Sequence, residues 1–211
     1  MMKAILIAAA TILQAYLLGS VDTGILVSKF VYHDDVRNHG SGAAGMTNML
    51  RTFGKKAAAF TAAGDVLKGV AAVCIGRWLF GFLPADAAVS PYLGVYLTAI
   101  LAVVGHTKPI YFGFKGGKGV SSTCGVMLMT FWWQALICYV ITIALIAITK
   151  FVSLGSLALV VLFGILVTAT NWGNWLVIVW AWVIAGLCIY RHHANIGRLI
   201  HGTERKIGQK A

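Results

Sequence analysis

The run Gly113-Phe114-Lys115-Gly116-Gly117-Lys118-Gly119 joins the two residue types that a bound anion needs. Glycine leaves backbone N–H groups bare enough to converge on a charged oxygen, and Lys115 and Lys118 stand beside them. Such a loop suits a phosphorylated ligand; its plainer reading is a basic juxtamembrane turn that fixes topology. The stretch Gly40 to Arg51, GSGAAGMTNMLR, has similar character. Its glycines permit tight backbone and close ligand approach. Ser41, Thr47 and Asn48 offer neutral donors, and the Arg51 guanidinium is a planar fork that matches phosphate. Thr47 and Arg51 are four apart and share a face if this stretch is helical.

Three further constellations follow. Pro109 should end or kink the helix that carries His106, and Val120-Ser121-Ser122 should open the next one, whose first N–H groups attract anions. Ser153 follows Lys150 at a junction between two apolar runs, where a serine can also serve as an N-cap. His192 and Asn195, three apart with Glu204 downstream, fall at the end of another apolar run and can form a polar pair on one helical face. Adjacent His192 and His193 raise the question of a metal, but no H-x-x-x-H spacing or carboxylate cluster accompanies them; neither a metal nor a cofactor is expected. Asp65 and Lys68, three apart inside an apolar run, can pair, with Asp65 as an orienter of neighbouring groups.

The elements that must position these residues lie in lipid. Of 211 residues 59% are hydrophobic and only 11% charged, too few for a water-facing surface. Mean hydropathy is +0.84. The apolar residues come in long runs, roughly 4–31, 57–80, 92–107, 119–149, 152–170 and 173–190. In a bilayer only helices or a closed barrel satisfy the backbone, and ten-residue alternation is absent, so an all-α polytopic bundle is expected. The N-terminal stretch Met1 to Ser20 resembles a signal peptide without a convincing cleavage site and is read as a retained first span. The run 119–149 is long enough for one tilted helix or for a hairpin turning near Trp132-Trp133-Gln134. Charge decides: thirteen of the 17 Lys and Arg fall in 32–56, 106–118, at Lys150 and in the tail, and they share one side only if 119–149 crosses twice. About seven transmembrane helices result, with the N-terminus outside and the C-terminus cytoplasmic. One domain, 1–211, is expected, because no linker, low-complexity tract or fixed-period repeat interrupts the chain. The net charge of +11 fits cytoplasmic anchoring and anionic substrates better than nucleic acid. The four cysteines lie in apolar segments and read as small embedded hydrophobes.

Taken together, GSGAAGMTNMLR, GHTKPIYFGFKGGKGVSST, VSLGS and YRHHANIGR resemble, in order and spacing, the pattern of the bacterial acyl-phosphate:glycerol-3-phosphate acyltransferases, the PlsY family. The resemblance covers nearly the whole chain. It implies a bacterial inner-membrane enzyme, with its active site facing the cytoplasm, that moves a fatty acyl group from acyl phosphate to the sn-1 hydroxyl of glycerol 3-phosphate and forms lysophosphatidic acid. By position, Ser41 and Arg51 match the essential serine and arginine of the first motif. Gly116, Gly117, Lys118 and Gly119 match the loop associated with glycerol 3-phosphate, and Ser153 a phosphate-binding serine. His192 and Asn195 match the functional pair of the third motif, and Glu204 its structural acid. Ala43 and Met46 depart from the family's usual asparagine and alanine, which removes one polar donor.

The reaction so implied needs little acid catalysis, since phosphate leaves readily. It needs the hydroxyl held near the acyl carbonyl and two phosphates neutralised, and such positioning is worth up to ~7–11 kcal/mol of barrier. Arg51, Lys118 and Ser153 are expected on phosphate oxygens and Ser41 on the reacting groups. The proton is expected to leave on the substrate's own phosphate, with His192 as the alternative base. A covalent acyl-serine is disfavoured because Ser41 has no evident base–orienter pair. The H-x-x-x-x-D acyltransferase type is excluded, since no histidine has that partner. The rival classes are an anion transporter, which would place ionisable groups near the bilayer midplane, and a lipid-binding scaffold, which leaves the Ser, Asn and Gly placement without purpose.

Overall fold

The computed structural model describes residues 2–83 and 91–209, and the expected outer loop near 81–91 and the basic Lys210 therefore lie mostly or wholly outside the described residues. The described residues form helices with no strand: α1 (Met2–Gly19), α2 (Thr23–Val31), α3 (Met46–Phe80), α4 (Pro91–Thr107), α5 (Val120–Thr130), α6 (Trp132–Thr149), α7 (Val152–Thr170), α8 (Trp175–Arg191) and α9 (His193–Ile200).

The outer faces of the bundle are apolar, as in a protein that faces lipid, and on some helices the inward face is the smaller and more polar one. In α6, Val140, Ile143 and Ile148 are exposed, whereas Gln134, Ala135, Cys138 and Thr142 are buried. Small residues let backbones touch: a Cβ on Gly69 of α3 would collide with the Ser122 carbonyl of α5, and one on Gly125 of α5 with the Val66 carbonyl of α3. Away from this seam an aromatic cluster of Phe131, Phe163, Trp180 and Tyr96 fills the interior, and the Trp180 indole N–H donates to the Tyr96 carbonyl at 3.0 Å.

Several boundaries differ from those read in the sequence. The run 4–31 is not one span. It breaks after Gly19, and Asp22 caps α2 by accepting the Ile25 N–H at 3.2 Å. The helix that holds 57–80 begins at Met46 and is interrupted at Gly54, whose φ of 86° only glycine adopts at low cost. The hairpin within 119–149 is present, but it turns at Phe131 and its first arm, α5, has only 11 residues. At 1.5 Å per residue that is about 16 Å, roughly half the hydrocarbon thickness. Among the described residues, five helices are long and apolar enough to cross a membrane, and the bent α8–α9 pair, with its 64° break, makes a sixth.

Chain direction brings the polar segments together. α3, α5 and α7 begin at one end of the bundle, and α4, α6 and α8 finish there. α1 finishes there too: the Tyr16 hydroxyl donates to the Lys108 carbonyl at 2.8 Å. The loops and helix ends there hold the polar motifs described above, while Asp65 and Lys68 lie deeper within α3.

Candidate active site

A cavity of about 100 Å³ opens at this end. Its lining includes Ser41, Ala43, Met46, Thr47, Asn48 and Arg51 from the first motif, His106, Lys118, Gly119 and Ser121 from the second, Ser153 from α7, and His192, Asn195, Arg198 and Glu204 from the tail. Three helices start at its wall. The caps of α3, α5 and α7 are Gly45, Gly119 and Phe151, and none supplies a side-chain hydrogen bond to its first turn. The first N–H groups of a helix have no intrahelical partner, so an uncapped start is a natural anion cradle. Three such starts facing one polar cavity define where negative charge belongs.

The side chains reinforce this. Arg51 directs Nη2 to the Arg205 carbonyl at 3.1 Å, and its buried Nε has no partner among the described residues. Lys118 donates to Asn195 Oδ1 at 2.6 Å. The Asn195 amide N–H donates in turn to Glu204 Oε1 at 2.8 Å, which also accepts the Ser153 hydroxyl at 2.9 Å, while Arg198 Nε donates to Glu204 Oε2 at 2.7 Å. Glu204 is therefore a hub that ties the tail to α7 and to the glycine loop. Burial raises its carboxyl, but the bonds from Asn195, Arg198 and Ser153 outweigh that and hold it below the ordinary range. Burial pushes Lys118 down to about 8; Glu204 opposes the shift, and Arg198, Arg51 and Arg191 add to it.

His192 caps the turn between α8 and α9. Its Nδ1 lies 2.7 Å from the Cys188 carbonyl, which can only accept, so Nδ1 carries the proton and Nε2 is left as an acceptor. Burial lowers its pKa to about 4, partly offset by that bond, and the ring is neutral at pH 7.

The loops are pinned from behind. Asn48 spends its whole amide on the first loop: Oδ1 accepts the Ser41 N–H at 3.1 Å, and Nδ2 donates to the Val36 and His39 carbonyls, each at 3.0 Å. Arg37 pairs with Asp35 and also donates to the Phe112 carbonyl at 2.9 Å, joining the first loop to the second. Arg191 donates to the Gly117 carbonyl at 3.2 Å. Gly116 and Gly117 lie flat over His106: a Cβ on Gly116 would overlap the His106 carbonyl, and one on Gly117 its Nε2. Gly117→Ala is accordingly expected to shift the loop, with an overpacking cost of ~1–3 kcal/mol and a matching fall in kcat/KM for the phosphorylated substrate. Steady-state kinetics beside a thermal melt check this; unchanged kinetics would mean that the loop need not lie there.

The structure thus gathers Ser41, Thr47, Asn48, Arg51, Lys118, Gly119, Ser153, His192 and Asn195 around one cavity. It does not bring in Lys115, which points into solvent. Gly116 borders the adjoining groove, and Gly117 packs against the His106 ring. Asn48 and Asn195 serve as braces, since their amides are committed to protein partners. The Ser153 hydroxyl is committed to Glu204, which leaves its backbone N–H as the free donor. Arg198, which motif spacing did not single out, also lines the cavity; its i, i+6 relation to Glu204 across a helix end gives no periodic signal.

An apolar helical bundle with a polar, cationic cavity at one end has the architecture of an integral membrane enzyme. The family model described as glycerol-3-phosphate acyltransferase matches residues 9–202. A glycerol-3-phosphate acyltransferase of Clostridioides difficile (strain 630) is 44% identical over 196 residues, covering 93% of each chain. One from Thermoanaerobacter sp. (strain X514) is 40% identical over 203 residues, 96% of this chain and 97% of the relative. The crystal structure of PlsY (YgiH), an integral membrane glycerol 3-phosphate acyltransferase, in its glycerol 3-phosphate form superposes with a TM-score of 0.85 at 33% identity, covering 95% of this chain and 96% of that one. Its lysophosphatidic acid form superposes at 0.81 and 32% identity, over 95% of both. The chain belongs to the glycerol-3-phosphate acyltransferase family and is an integral membrane acyltransferase.

Proposed function

We propose that this enzyme transfers a fatty acyl group from acyl phosphate to the sn-1 hydroxyl of glycerol 3-phosphate, giving lysophosphatidic acid and inorganic phosphate. The observation that carries the reading is the convergence of three uncapped helix starts with Arg51 and Lys118 at the end of an apolar bundle. That arrangement receives two phosphates while an acyl chain remains in lipid. The hydroxyl oxygen attacks the acyl carbonyl, the bond from carbonyl carbon to phosphate oxygen breaks, and phosphate leaves with the electron pair. Arg51, Lys118 and the N–H groups at 120–121 and 153 neutralise phosphate oxygens, and Ser41 at the mouth orients the reacting groups. Asn48, Asn195 and Glu204 hold these groups in place.

The proton leaves on phosphate. A His192 titrating near 4 is a weak base at neutral pH, whereas a phosphate dianion accepts a proton close to neutrality. His192→Gln is expected to lower kcat about tenfold through loss of the Nδ1–H bond to the Cys188 carbonyl that fixes the ring, while keeping the wild-type pH profile between 5 and 8. Turnover that vanishes with substrate binding intact would instead make His192 the base.

We place the cavity on the cytoplasmic side of a bacterial inner membrane. The basic segments 32–56, 106–118 and the tail build the cavity's own loops, which supports that side under the charge-asymmetry rule. Seven crossings with the N-terminus outside follow if α5 counts as a short crossing. Its turn at Phe131 packs against Phe163 and Trp180, and non-helical backbone at membrane depth is tolerated where protein covers it. Purified protein in detergent, given labelled glycerol 3-phosphate and either acyl phosphate or acyl-CoA, tests the reaction. Lysophosphatidate from acyl phosphate alone is expected. Product from acyl-CoA alone would overturn the donor, and no product with vesicle uptake would mark a transporter.

A further inference from the structure

We propose that His106 is a further substrate-binding residue, whose Nε2–H is aimed by Lys68 and Asp65 at a substrate oxygen in the cavity; the proposal rests on the reaction assigned above. Asp65, Lys68 and His106 are 0%, 5% and 2% exposed. The Lys68 ammonium lies 2.8 Å from Asp65 Oδ1, 2.7 Å from the Val21 carbonyl and 2.8 Å from His106 Nδ1. An ammonium has three protons, and here it has three neighbours. Two of them can only accept, so the third proton points at Nδ1, which must present a bare lone pair. A neutral imidazole with a bare Nδ1 carries its proton on Nε2. That is the opposite tautomer from His192, and it makes His106 a donor where His192 is an acceptor.

His106 lines the cavity, and its Nε2 has no hydrogen-bond partner among the described residues. It sits beneath Gly117, one residue from Lys118. A buried ion pair and imidazole are costly, and apolar residues would fill the space at least as well. The arrangement instead gives a fixed donor at the floor of an anion site. The reaction brings two kinds of acceptor there, phosphate oxygens and the acyl carbonyl oxygen, both electron-rich oxygens that an N–H recognises. Lys68 and Asp65 are positioning residues that act through His106.

Kinetics of His106→Gln and His106→Phe test the proposal. Glutamine keeps an N–H near the Nε2 position and phenylalanine keeps only the shape. H106F is expected to lose about 10- to 100-fold in kcat/KM, as for a hydrogen bond to a charged or developing-charge oxygen, and H106Q to stay within about threefold of wild type. A loss confined to KM for glycerol 3-phosphate or for acyl phosphate assigns that substrate's phosphate, and a loss in kcat assigns the acyl carbonyl. Wild-type kinetics in H106F, or equal losses in folded H106Q and H106F, would overturn the proposal; His106→Asn replaces H106F if the latter does not fold. Imidazole 15N spectra, assigned by difference with H106Q, provide a readout without substrate. A protonated Nε2 and bare Nδ1 are expected in the wild type and a mixed tautomer in Lys68→Met, whereas a protonated Nδ1 in the wild type refutes the aiming by Lys68. If the unmodified protein forms no lysophosphatidate, the assigned reaction fails; a wild-type rate in H106F removes only the role of His106.

Discussion

Arg51→Ala is expected to lower kcat/KM by ~10²–10³-fold while the helical bundle remains folded. Arg51 stands on the first turns of α3 and reaches across the cavity to the Arg205 carbonyl at 3.1 Å. Its Nε is buried without a partner, so one donor of the fork is already desolvated before substrate arrives. A phosphate oxygen placed there would gain a charge-assisted bond without the cost of stripping water from that donor. The alanine variant loses that donor and a positive charge in one step, yet leaves only the Arg205 carbonyl short of a bond, at an edge where water can replace it. Arg51→Lys keeps the charge but not the planar fork and is expected to recover only part of the rate. The measurement is kcat/KM for glycerol 3-phosphate beside a circular dichroism melt. A loss below about threefold in the alanine variant would remove Arg51 from the phosphate site.

The second large effect belongs to Lys118 and depends on pH. Burial holds its ammonium at about 8, with Arg198, Arg51 and Arg191 acting in the same direction and Glu204 against it. The sign follows: below 8 the empty site carries the charge, and above 8 it is progressively lost. A phosphate dianion binds the charged form, so KM for glycerol 3-phosphate should rise above about pH 8 and approach about tenfold per unit on the alkaline side. Lys118→Arg should flatten this limb, because a guanidinium keeps its proton throughout the range, although its contact with Asn195 Oδ1 will be less well shaped. Lys118→Met should cost roughly 10²-fold at pH 7 and also lose the limb. An alkaline limb that survives unchanged in Lys118→Arg would show that another group titrates there.

Much of the site was legible because its chemistry is local in sequence. Arg51 and Thr47 share a face as their spacing of four requires, and Asp65 and Lys68 pair at 2.8 Å as their spacing of three allows. The limits of α7 matched its apolar run because a charged junction bounds it on one side. Other boundaries were less visible. Hydropathy ran through 4–31 without a break, since one buried Asp22 that caps α2 barely lowers the average. The early start of α3 was hidden by its polar first turns, which face the cavity rather than lipid. Residue type does not decide at Lys115: a lysine beside glycines looks the same whether it faces a ligand or water, and here it is exposed and outside the cavity lining. The commitments of Asn48, Asn195 and Ser153 to protein partners depend on contacts 7 to 77 residues apart, which no local pattern encodes.

The bend between α8 and α9 has a consequence for biosynthesis. His192, Asn195, Arg198 and Glu204 form one wall of the cavity, and all lie beyond the last apolar helix of the described chain. A polypeptide emerging from the ribosome therefore presents Arg51 and the glycine loop long before the hub carboxylate that will hold Lys118 and Ser153 in register. Until the segment that follows α8 emerges and swings across, the partly inserted chain has its cations but no organised socket, and catalytic competence waits for that segment.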